Sequence, residues 1–80
     1  MMDYKLYAAT YCPFCKKVEG FMKENGLDQK VEVVYVDKDE AAKEALIEGG
    51  GKKQVPCLYH DNTWLYESDD IIVYLKENLL

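Results

Sequence analysis

Cys12-Pro13-Phe14-Cys15 brings two thiols within three positions of each other. Such a pair can ligate one metal ion or close a small disulfide ring, and its surroundings decide which. A short apolar stretch, Lys5-Leu6-Tyr7-Ala8, precedes it and reads as a strand; a helical pattern follows it. A strand ending there and a helix starting there place Cys12 at a helix N-terminus. Backbone N–H groups and the helix dipole favour a negative sulfur at that position, so the expected chemistry is that of a reactive thiolate.

The elements that must position this pair are legible in the apolar spacing. From Pro13 onward, Phe14, Val18, Phe21 and Met22 recur at helical intervals, and Asn25-Gly26 is a natural stop. Pro13 suits the first helical position because it has no N–H to leave unpaired, which makes Cys12 the N-cap. Val31 to Val36 is β-branched and largely apolar, the pattern of a strand covered on both faces. Asp37, with Glu40 three residues on, is expected to cap a second helix through Ala41, Ala42, Ala45, Leu46 and Ile47, which Gly49-Gly50-Gly51 would end. Val55–His60 and Thr63–Tyr66 read as two strands of a hairpin turning at Asp61-Asn62. Ser68 or Asp69 would cap a third helix carrying Ile71, Ile72, Leu75 and Leu79. The order is βαβαββα: an α/β domain over residues 1–80, with a parallel first half and an antiparallel hairpin after it.

Composition narrows the class. Eighty residues hold one modest core, and apolar residues at 49% with charged residues at 31% suit a soluble globular domain. The opening Met1-Met2-Asp3-Tyr4-Lys5 lacks the apolar core of a signal peptide, and no run approaches transmembrane length. The expected compartment is the reducing cytoplasm, where three cysteines do not make a disulfide framework and a Cys-x-x-Cys pair is redox-active or metal-binding. Net charge is −5 and every basic residue is a lysine, a balance that disfavours nucleic acid and anionic membranes. Lys16-Lys17 and Lys52-Lys53 nevertheless offer a local positive site for a small anion if the fold brings them together.

Taken together, a βαβ unit opening with Cys12-Pro13-Phe14-Cys15, then Val55-Pro56 before a hairpin, then Ser68-Asp69-Asp70 opening a last helix, resembles the glutaredoxins. The resemblance implies a thioredoxin-like fold with a four-stranded mixed sheet and three helices. It implies a dithiol, glutathione-dependent thiol–disulfide oxidoreductase that reduces protein disulfides and protein–glutathione mixed disulfides. Cys12 would be the nucleophile and Cys15 the resolving thiol, the two forming a redox-active disulfide. Val55-Pro56 resembles the family's Thr-Val-Pro, whose proline is cis and whose preceding residue offers its backbone to the cysteinyl part of glutathione. Ser68 and Asp69 would hold the γ-glutamyl end, Lys43 and Lys53 the glycine carboxylate, and Tyr11 and Phe14 an apolar wall beside the thiols. Glutathione would serve as co-substrate, no metal is expected, and nothing in the sequence signals an oligomer, so a monomer is expected.

The chain also departs from the pattern. Ala9 stands where the family usually has a lysine or arginine, Gln54 replaces the threonine before Val55-Pro56, and Tyr66-Glu67 replaces a Gly-Gly. Glu67-Ser68 resembles instead the glutamyl-binding pair in the N-terminal domain of glutathione transferases. Ala9 favours a rival reading, a glutathione-independent redoxin reduced by a flavoprotein. A second rival is a non-enzymatic metal- or iron–sulfur-binding module. Cys57 and His60 complete a zinc-type ligand inventory, but three positions apart on a strand they point to opposite faces. Cys57 is expected in the core and His60 exposed at the hairpin.

Overall fold

The structure, a computed structural model, describes residues 4–79; positions 1–3 and 80 of the expected domain lie outside the described residues. In chain order the elements are β1 (Tyr4–Ala8), α1 (Pro13–Glu24), a short 3-10 turn (Leu27–Gln29), β2 (Val31–Tyr35), α2 (Glu40–Gly50), β3 (Cys57–His60), β4 (Thr63–Tyr66) and α3 (Ser68–Leu79). The four strands form one mixed sheet in the order β2-β1-β3-β4. β1 runs parallel to β2, with Leu6 opposite Val33, and antiparallel to β3, with Leu6 opposite Leu58. β3 and β4 pair antiparallel, with Tyr59 opposite Trp64. This is the βαβαββα mixed-sheet architecture expected from the sequence.

Strand alternation divides the apolar residues between two faces. Leu6 and Leu58 pack with Val18 and Met22 of α1 and with Ile71 and Leu75 of α3. Tyr7 and Cys57, one residue out of phase, pack with Ala42 and Leu46 of α2. The helices therefore flank the sheet, α1 and α3 on one side and α2 on the other. Each fully buried leucine contributes about 1.5–3 kcal/mol relative to leaving it exposed.

Three local expectations are corrected by the structure and a fourth is refined. Asp39, not Asp37, caps α2, accepting from the N–H groups of Ala41 at 3.0 Å and Ala42 at 3.3 Å. A turn in which Lys38 and Asp39 donate to the Tyr35 carbonyl delays the helix start by two residues. The glycine run ends α2 as expected, but at its last member: the helix continues through Gly50, and Gly51, at φ 83°, closes it by donating to the Ile47 carbonyl at 2.9 Å. The reason is tertiary, because a Cβ on Gly49 would lie 2.1 Å from Trp64 Cζ2 and one on Gly50 1.9 Å from Tyr66 Oη. β3 begins at Cys57 rather than Val55, its pairing with β1 stopping at Tyr7 opposite Cys57. Pro56 has no N–H to extend the ladder. At α3 neither Ser68 nor Asp69 is the cap. Glu67, in the left-handed region at φ 76°, supplies the carbonyl that accepts from Ile71 N–H at 3.0 Å, and Ser68 and Asp69 lie in the first turn. The hairpin turn does follow expectation, with Asp61 and Asn62 at φ 50° and 63°, the two positive values of a type I′ turn.

Candidate active site

Because β1 and β2 are parallel neighbours, the chain leaves both strands at the same end of the sheet. The loop after β1 carries Cys12 and the loop after β2 carries Asp37. Asp37 accepts from the Thr10 backbone N–H at 3.2 Å and from the Thr10 hydroxyl, which ties the two loops together two residues before the first thiol. Those donors hold the Asp37 carboxyl below its ordinary range.

Cys12 is the N-cap of α1, with φ −89° and ψ 115°, and Pro13 opens the helix. Its sulfur accepts from the Cys15 backbone N–H at 3.3 Å and lies 3.9 Å from the Val55 carbonyl oxygen. The Val55–Pro56 peptide is cis. Cys12 is 6% exposed and Cys15 is 0% exposed. All three cysteines are free thiols. Burial first, and then the hydrogen bond with Cys12, push the Cys15 thiol up to about 12. Burial likewise pushes Cys57 up to about 11. The site thus pairs an N-cap thiol that keeps a small exposed edge and accepts from a backbone donor with a fully enclosed thiol one helical turn on. That arrangement suits a nucleophile and a resolving thiol.

Two grooves are lined by residues next to the thiols, Tyr11 in one and Phe14 and Val55 in the other. One, of about 330 Å³, is lined by Tyr11, Val36, Asp37, Lys38, Glu40, Lys43 and Lys53. Lys43 and Lys53 are close enough that Lys43 lowers the Lys53 pKa. A pair of like charges held together in this way suits an anionic group. The second groove, of about 240 Å³, is lined by Phe14, Gln54, Val55, Pro56, Glu67, Ser68 and Asp69. Of the expected site residues, Tyr11, Lys43 and Lys53 line the first groove and Phe14, Val55, Pro56, Ser68 and Asp69 the second, so Tyr11 and Phe14, 75% and 62% exposed, do not form one wall. Asp69 is already engaged, its carboxylate 2.5 Å from Lys17 Nζ. Both partners are largely exposed, so this pair is worth at most about 1 kcal/mol and yields readily to a ligand ammonium.

Ala9 is fully buried against Cys12 and Cys15, and its carbonyl accepts from the Cys12 N–H at 3.3 Å. Cys57 lies in the α2-side core as expected. His60, expected to be exposed, is half-buried and stacks on Tyr4 with ring centroids 3.8 Å apart. Cys57 and His60 face opposite sides of the sheet. Sequence reasoning missed two groups that shape the site: Thr10, and the Tyr35 hydroxyl that donates to Glu19 Oε1 at 2.6 Å. Only the parallel pairing of β1 with β2 signals the first. The second depends on side-chain directions across elements.

Residues 6–79 match the family described as glutathione S-transferase, N-terminal domain. The chain is 32% identical over 76 residues to glutaredoxin 1 of Rickettsia prowazekii, covering 94% of this chain and 79% of that protein. It is 34% identical over 70 residues to glutaredoxin-C4 of Arabidopsis thaliana, covering 84% of this chain and spanning 50% of the relative's length. Among solved structures it is similar to the thioredoxin-like protein BC3987, with a TM-score of 0.75, 25% identity, and coverage of 96% of this chain and 99% of that one. A glutaredoxin–glutathione complex from buckwheat shares the fold at a TM-score of 0.71 and 18% identity, covering 94% of this chain and 69% of that one.

Proposed function

The chain belongs to the glutaredoxin-like thioredoxin-fold family, into which the N-terminal domain of glutathione S-transferases also falls, and from that membership we propose that it is a glutathione-dependent thiol–disulfide oxidoreductase. The observation that carries the reading is the inequality of the two thiols. Cys12 keeps a small exposed edge and its sulfur accepts from the Cys15 N–H, whereas Cys15 is fully enclosed and its thiol is pushed up by burial.

In the reading we favour, the Cys12 sulfur attacks a protein–glutathione disulfide. The protein leaves as a thiol and glutathione stays on Cys12. A second glutathione thiolate then breaks that bond, regenerates Cys12 and departs as glutathione disulfide. With a protein disulfide as substrate, Cys15 instead attacks the Cys12-bound sulfur, and the Cys12–Cys15 disulfide is afterwards reduced by glutathione. The two grooves support glutathione as the reductant. Lys43 and Lys53 suit its glycine carboxylate, and the Val55 backbone suits its cysteinyl segment. The start of α3 suits its γ-glutamyl carboxylate, because the first N–H groups of a helix have no intrahelical acceptor. Asp69 would take the ammonium in exchange for Lys17. That the buckwheat glutaredoxin of the same fold forms a complex with glutathione lends further support.

The test is turnover of a glutathionylated substrate with glutathione and glutathione reductase. The wild-type protein and Cys15→Ser are expected to turn over, and Cys12→Ser to fall to background. Reduction of a protein disulfide should need both thiols. Activity retained by Cys12→Ser would defeat the mechanism. The buried, uncharged Ala9 favours one alternative, a redoxin of the same fold that takes electrons from a flavoprotein reductase. That reading predicts no turnover with glutathione and full disulfide reduction with such a reductase.

A further inference from the structure

Glu19 is a carboxylate that the proposed reaction leaves unused. It lies one helical turn beyond Cys15, a spacing that puts the two side chains on one face of α1 with Cβ atoms about 5–6 Å apart. It is half-buried, and the Tyr35 hydroxyl donates to its Oε1 at 2.6 Å. Tyr35, at the end of β2, packs against the cluster formed by Ala8, Ala9, Cys12 and Cys15. Among the described residues no lysine lies within ion-pair distance of Glu19. An unneutralised carboxylate, held by one phenol beside the thiol pair, is an arrangement that anchoring α1 to β2 does not require.

Cys15 must lose a proton to act as the resolving thiol, and it has no exposed surface from which to lose it. Once Cys12 carries a substrate sulfur, Cys12 cannot accept that proton. Glu40, Lys43 and Lys53 line one groove and Glu67 and Asp69 the other, but beyond Cys12 the titratable group that acts on Cys15 itself is Glu19 on α1, which Tyr35 on β2 joins, with Asp37 in the loop after β2 and Lys16 and Lys23 at neighbouring turns of α1. The bond to Glu19, and then burial, raise the Tyr35 hydroxyl above its ordinary value, so it remains a donor. Asp37 is occupied by Thr10. The lysines are cations at neutral pH and accept nothing.

We infer that Glu19, held in place by the Tyr35 hydroxyl, accepts the proton of Cys15 as Cys15 attacks the sulfur bound to Cys12. This rests on the proposed redox function. In the step, the Cys15 S–H bond breaks and its proton passes to the Glu19 carboxylate. The freed electron pair forms the Cys15–Cys12 bond, and the bond from Cys12 to the substrate sulfur breaks. That sulfur leaves with its electron pair as a thiolate and takes a proton from solvent. Over the cycle the two cysteines are oxidised to a disulfide and the substrate disulfide is reduced to two thiols. Glu19 returns its proton to water through its exposed edge.

The native reduced protein can be mixed with excess nitrobenzoate disulfide, whose thiolate is coloured. A first phase of colour reports attack by Cys12, and a second reports release from Cys12 by Cys15. Glu19→Gln preserves an acceptor for Tyr35 and removes the base. It is expected to leave the first phase unchanged and slow the second about 100-fold, as loss of a general base does. Tyr35→Phe removes the phenol that holds the carboxylate in place, and should slow the second phase while leaving the first unchanged. A second phase in Glu19→Gln at the wild-type rate overturns the inference. If that variant does not fold, a second phase in Tyr35→Phe at the wild-type rate overturns it equally. Absence of a first phase in wild-type protein would remove the redox reading, and this step with it.

Discussion

Cys12, Cys15 and Cys57 are the same side chain in three settings, and only the setting separates a reactive group from an inert one. With thiols at about 12 and about 11, Cys15 and Cys57 hold on the order of one thiolate in a thousand or fewer at pH 8. Brief treatment of native reduced protein with iodoacetamide at that pH is therefore expected to modify Cys12 and spare the other two, read by mass spectrometry of peptides. Labelling of Cys57 as fast as Cys12 would contradict the buried setting on the α2 side of the sheet. Much of this was legible beforehand. The residue before a proline at a strand-to-helix junction is a natural N-cap, and a cysteine in an apolar strand is a natural core residue. The partners of His60, Tyr35 and Glu19 were not, because they come from other elements and no local pattern encodes which rings or carboxylates will meet.

Elements bring a second kind of dependence, in which a residue's local preference yields to what packs on it. Gly49 and Gly50 read as a helix stop, yet they lie within α2 because Trp64 and Tyr66 of β4 occupy the space where side chains would be. Gly49→Ala would gain up to about 1 kcal/mol of helix propensity and lose about 1–3 kcal/mol to overpacking against Trp64. A net fall in the urea midpoint is expected, and a rise would show that Trp64 moves aside freely. The loop tie between Thr10 and Asp37 belongs to the same scale. Asp37 has its pKa depressed in the folded protein, so its contribution to stability is present above the ordinary carboxylate value of 3.8 and is lost as pH falls through the lower folded value. Asp37→Asn is thus expected to lower stability near neutral pH and to flatten the decline in stability below pH 4. Denaturant midpoints measured across that range check both, and an unchanged acid limb would show that the tie contributes nothing.

At the scale of the molecule, β1 joins the two apolar clusters, with Leu6 turned toward α1 and α3 and Tyr7 toward α2. A chain of this size has total stability of roughly 4–12 kcal/mol, and losing a buried leucine costs about 2–5 kcal/mol. Leu46→Ala on one face and Leu75→Ala on the other should each lower one shared unfolding transition, followed by circular dichroism and by tyrosine and tryptophan fluorescence together. Two separable transitions would show that the faces unfold independently. What the sequence determined by itself was the order of elements, the apolar faces and the position of the thiols, because spacing, β-branching and turn residues act within a few positions along the chain. Only the tertiary structure decided that Asp37 serves Thr10 rather than α2, that the glycines lie inside a helix, that Lys17 occupies Asp69, and that Glu19 and Tyr35 meet beside Cys15. Each is a contact between elements that local preference cannot specify, since it exists only once the strands are paired and the helices are laid across them.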